Sequence, residues 1–116
     1  MSVDQLDDFF LSKEEPLKSC LLYIRDYLNN HPFDLQESWK WSLPSYSYNG
    51  KHFCYIWIDK KTKMPYIGFK NSNLIEHDKL ELGNRKLFKT FSIDPTTDID
   101  VQSLDEIMEL LKPLFN

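Results

Sequence analysis

Apolar side chains along this chain switch between two spacings, and each switch marks a new element. Val3 to Leu11 carries Leu6, Phe9 and Phe10 at helical spacing. Ser12 to Glu15 then has the Ser-x-x-Glu layout of a capping box, which predicts a second helix starting there. Pro16 falls in its first turn, where a missing N–H costs little. Leu17, Cys20, Leu21, Ile24 and Leu28 form one apolar stripe before Asn29 to Pro32 stops the helix.

From Leu35 the period becomes two. Leu35, Glu37, Trp39, Trp41 and Leu43 point one way and Gln36, Ser38, Lys40 and Ser42 the other, so one strand runs to Pro44, which breaks it. Ser45 to Tyr48 resumes, and Asn49-Gly50 is a strong hairpin signal because both central residues of a type I′ turn need positive φ. Lys51 to Asp59 is apolar on both faces, with Phe53, Tyr55 and Trp57 opposed to Cys54, Ile56 and Ile58, as suits a central strand. A turn over Asp59 to Lys63 leads into a strand from Met64 to Phe69. Asn71 to Gly83 lacks clean periodicity and reads as a short helix or irregular loop around Leu74 to Leu82. Arg85 to Ile93 suits a last strand, Asp94 to Thr97 a turn, and Val101 to Leu111 a terminal helix buried through Leu104, Ile107, Met108 and Leu111. The expected fold is α+β: a twisted antiparallel sheet of about five strands flanked by N-terminal and C-terminal helices, in one domain over residues 1–116.

Composition narrows the function classes. Hydrophobic residues at 41% and charged residues at 28% are those of a folded globular chain. A net charge of -4 argues against a nucleic-acid footprint, which needs clustered Lys and Arg, and Lys60, Lys61 and Lys63 read as a solvated turn. No apolar run approaches the ~18 residues of a membrane span, and Asp4, Asp7 and Asp8 behind Met1 do not suit a signal peptide, so the expected location is the cytoplasm. Cys20 and Cys54 read as buried, unpaired thiols, with no CxxC to suggest zinc or redox chemistry.

Candidate chemistry is thin. His31, His52 and His77 sit in no nucleophile–base motif and read as surface residues, with the helix dipole favouring a charged His31. The isolated glycines make no phosphate loop, and the acids from Asp94 to Glu109 lack the layout of an EF-hand. The 15% aromatic share is the strongest signal. Tyr and Trp carry binding energy at ligand sites, so the expected site is an aromatic cleft built from Trp39, Trp41, Pro44, Tyr46 and Tyr66. The implied protein is a non-enzymatic binding domain for a small molecule or protein, without cofactor, monomeric or homodimeric.

The run from Glu37 to Tyr46 (ESWKWSLPSY), then YNGK from Tyr48, FCYIW from Phe53 and PYIGF from Pro65, resembles the YdhG-like family of small bacterial proteins. Leu6 to Phe10, Ile75 to His77, Arg85-Lys86 and Asp98 to Asp100 extend the resemblance over nearly the whole chain. It implies a helix-flanked antiparallel sheet whose Trp-x-x-Pro-x-Tyr segment and following hairpin frame a cleft. One branch of the family is described as a frataxin-like iron chaperone supporting iron–sulfur cluster assembly, which makes iron the alternative ligand.

Overall fold

The computed structural model describes residues 5–82 and 88–115. Its elements run α1 (Gln5–Leu11), α2 (Leu17–Asn29), β1 (Gln36–Lys40), β2 (Leu43–Tyr48), β3 (Lys51–Ile58), β4 (Pro65–Phe69), β5 (Lys89–Ser92) and α3 (Val101–Leu111), with short 3-10 turns at Ser72–Leu74 and Lys112–Phe115. The five strands form one antiparallel meander in chain order, so the fold is α+β. The terminal helix has the bounds its apolar stripe implies. Asp100 caps it, its carboxylate accepting from the Ser103 amide at 3.0 Å and the Ser103 hydroxyl at 2.7 Å.

The stripe of α2 also buries as expected, with Leu21, Ile24 and Leu28 fully enclosed. Its start differs from the capping-box reading. Ser12 makes no cap; the helix begins one turn later behind Pro16, and Glu15 accepts from the amide and hydroxyl of Ser19 instead. Those bonds hold the Glu15 carboxyl below its ordinary range.

The strand expected from Leu35 to Leu43 is two strands. Trp41 and Ser42 lie at φ 53° and 61°, and this tight turn pairs Lys40 with Leu43 and Trp39 with Pro44. Pro44 lies inside β2 rather than ending a strand. The Asn49-Gly50 turn has the same character, at φ 54° and 75°. Of the strand expected over Arg85 to Ile93, residues 83–87 lie outside the described residues, and β5 covers Lys89–Ser92. The Asn71–Gly83 stretch contributes the Ser72–Leu74 turn and a bridge from Glu81 to Thr90. Ser72 is buried there; its hydroxyl donates to the Phe69 carbonyl and accepts from the Lys89 amide, both at 2.6 Å, closing β4 onto β5.

One irregularity sets which side chains share a face. Tyr46 pairs with Cys54 and Ser47 with His52, so Phe53 is an extra residue with no partner across the ladder. Its carbonyl accepts from the Lys70 amide at 2.9 Å. The bulge lets Phe53 and Cys54, neighbours in sequence, both be fully buried. It also moves His52 to the face opposite Cys54, beside Tyr55.

The core lies on the Cys54 side, where Ile56, Ile67 and Phe69 meet Leu21, Ile24, Leu104, Ile107 and Leu111 in one cluster. Phe53 and Phe115 seal its end with ring centroids 4.9 Å apart. Cys20 and Cys54 are free and buried, and burial pushes the Cys20 thiol up to about 11 and the Cys54 thiol up as well, so neither is a ready nucleophile. Gly50 tests the hairpin cleanly, because nothing lies within 4 Å of a Cβ placed there and only the backbone resists a side chain. Gly50→Val is expected to lower stability by about 1–2 kcal/mol, read as a lower urea midpoint at unchanged slope.

Candidate functional site

The bulge and the Trp41-Ser42 turn together assemble a set of rings on the sheet face opposite the helical core. Trp41 stands at the turn with 72% of its surface exposed. Its ring meets the half-buried His52 edge-on at 5.1 Å. His52 lies nearly parallel to Tyr55 at 6.4 Å and to Phe88 at 6.4 Å. Tyr55 touches Phe88 at 5.9 Å and Tyr66 edge-on at 6.1 Å. The rings form a connected, partly exposed patch across β3, β4 and the first turn.

Gly68 makes room for this arrangement. A Cβ at that position would stand 2.3 Å from the Tyr55 ring, so the absent side chain is what allows Tyr55 to lie across β4. His52 has a buried Nδ1 without a hydrogen-bond partner, and burial first, then the charges of Lys70 and Lys40, hold its pKa below the ordinary value. The imidazole is therefore neutral near pH 7.

Of the five residues expected to line a cleft, the structure brings only Trp41 and Tyr66 to this patch. Trp39 is half-buried with its ring 6.3 Å from that of Phe9, and Pro44 pairs with it and is buried. Tyr46 is fully buried, and its hydroxyl donates to Glu37 at 2.6 Å. Trp39 and Trp41, expected on one face, are separated because the strand turns between them. His52 and Tyr55 were missed as site residues; plain alternation groups His52 with Cys54, and only the bulge reverses this.

Glu37 anchors the hairpin that carries Trp41. Its carboxylate accepts from Arg25 Nε at 3.0 Å and Nη2 at 3.0 Å, from Tyr46, and from Asn29 Nδ2 at 3.2 Å. Arg25 also donates to Asp7 at 2.8 Å, tying α1 to the same centre. The hydrogen bond to Glu37 is the main reason the guanidinium holds its proton more tightly than usual, and burial is the main reason Tyr46 does.

The helical side carries the other candidate. Tyr23, Asp26, Tyr27, His31, Asp105 and Glu109 line a groove of about 530 Å³ between α2 and α3. The Tyr27 hydroxyl is committed to Asp105, and burial followed by that bond raises its pKa. His31 departs from the sequence reading: burial between Tyr27 and Phe33 outweighs Asp105 and Glu109 and lowers its pKa, so the helix end does not hold it charged. His77 is not free on the surface either, since its Nε2 meets Glu106 at 2.8 Å. Among the described residues, no three His, Cys, Asp or Glu side chains converge closely enough to hold a metal ion, and no helix is long and apolar enough to cross a membrane. No family model, curated protein or solved structure matches the chain.

The two lowered histidines have a signed consequence. Their neutral forms are favoured by folding, so the unfolded chain binds more protons over the interval between the folded values and about 6.5. Their contribution is complete above pH ~6.5 and is lost as pH falls through the folded values. The depressed carboxyls of Glu15, Asp94 and Asp100 act only lower, below their ordinary values of 4.5, 3.8 and 3.8. The urea midpoint is expected to decline between pH 7.5 and 5.5, and the decline to shrink in a His31→Gln, His52→Gln double variant. An unchanged slope in that variant would place the titrating groups elsewhere.

Proposed function

We propose that this chain is a non-enzymatic binding domain and that the Trp41–His52–Tyr55 patch is its binding surface. The observation that carries the reading is the placement of Trp41. A tight turn with both central residues at positive φ is best filled by Asn and Gly, and a bulky L-residue there costs about 1 kcal/mol or more. The chain puts a tryptophan at φ 53° and leaves it 72% exposed. Such a choice gives folding little and gives an interface its most effective residue type.

His52 supports a binding role over catalysis. A histidine base is ordinarily oriented by a hydrogen bond at its other ring nitrogen, and the His52 Nδ1 is buried with no such partner. The neighbouring groups are rings, which stack and exclude water. The YdhG-like resemblance, with its cleft beside the same Trp-x-x-Pro-x-Tyr segment, accords with a surface in this part of the sheet.

Trp41→Asn separates binding from folding. Relief of the left-handed tryptophan offsets the lost contact with His52, so stability is expected to stay within about 1 kcal/mol of the parent, far from the ~3–5 kcal/mol of a core aromatic truncation. The binding readout is a small-molecule fragment screen followed by amide and indole NMR shifts. Hits should perturb Trp41, His52 and Tyr55 and should be lost in Trp41→Asn. Hits confined to the α2–α3 groove, or a variant that unfolds, would overturn the assignment.

A further inference from the structure

We infer that the patch takes a small planar aromatic carboxylate, an inference that rests on the binding surface proposed above. The chain is acidic overall, with 18 Asp and Glu against 14 Lys and Arg. On the ring face the acids stand apart from Trp41: among the described residues, the exposed Glu81 pairs with Thr90 beyond β5, at the far edge of the sheet. Glu37 is the single carboxylate among the residues of the five strands, and it is turned to the helical side, where Arg25 and Tyr46 consume it.

Cations bracket the rings instead. Lys40 immediately precedes Trp41 and Lys70 immediately follows β4; both are exposed, and both act electrostatically on His52. Neither is paired with a carboxylate among the described residues. The acids gather elsewhere, for instance Asp26, Asp105 and Glu109 along the α2–α3 groove. A ligand that satisfies this face needs a flat π-surface for Trp41, His52 and Tyr55 and a negative charge for the lysines. A neutral His52 adds a stacking surface without a charge of its own. A cationic ring at Trp41 and His52 would meet two ammonium groups, with the exposed Glu81 lying beyond β5 at the opposite edge of the sheet.

Three probes separate these requirements: 2-naphthoate, 2-naphthylmethylammonium and cyclohexanecarboxylate, each titrated while the Trp41 indole N–H shift is followed. Expected are saturable shifts with 2-naphthoate at a Kd below about 1 mM, roughly -4 kcal/mol, with the other two at least tenfold weaker. Lys40→Gln with Lys70→Gln should weaken 2-naphthoate about tenfold, weaken cyclohexanecarboxylate as well, and leave the ammonium probe no weaker than before. Equal binding of the ammonium probe, or no effect of the lysine variant, would overturn the anion preference while leaving Trp41 as a binding residue. If all three probes leave Trp41 unmoved, the anion inference falls, and the fragment screen decides separately whether the surface itself survives.

Discussion

The carboxylate of Glu37 is the contact on which the rest of this structure depends. It is the one carboxylate among the strand residues, with 15% of its side chain exposed. A charge so enclosed is tolerable only when its lone pairs are filled, and here Arg25, Tyr46 and Asn29 fill them. The partners come from α2 and β2, and Arg25 carries the link on to Asp7 of α1. A slip of β1 by one residue would turn Glu37 away from Arg25 and Trp39 away from Phe9, so the register has a large penalty against it. With β1 and β2 locked in this way, the chain must turn at Trp41 and Ser42 whatever their own preference.

Tertiary demand overriding local preference also explains which features could be read from residues. The stripes of α2 and α3 and the Asn49-Gly50 turn are local signals that agree with the packing, and they appear where expected. Trp41-Ser42 carries no turn chemistry, so period-two alternation runs straight through it and places Trp39 and Trp41 together. The Ser12–Glu15 motif has the right spacing for a cap, but Pro16 and the stripe behind it start the helix later, leaving Glu15 to serve Ser19. A capping motif offers about 1 kcal/mol, which seating the stripe from Leu17 to Leu28 readily exceeds.

The candidate site was the least legible part for a related reason. Tyr46 and Trp39 share residue types with Trp41 and Tyr66, and composition cannot tell a sealed ring from an exposed one. Which is which depends on the turn at Trp41 and on the extra residue Phe53. Because Phe53 to Ile58 is apolar at every position, two buried neighbours at Phe53-Cys54 leave no mark in the alternation. Among the described residues, carboxylates line the helical groove, while Lys40 and Lys70 flank the rings on the opposite face of the sheet, with Glu81 at its far edge.

Ring-proton NOEs from His52 test this account most directly, since the bulge alone decides which face the imidazole joins. Cross-peaks from His52 to the Trp41 indole and the Tyr55 ring are expected, with none to Ile56 or Ile67. NOEs from His52 to those core side chains, and none to Trp41, would show an unbulged hairpin and contradict the assembled ring surface.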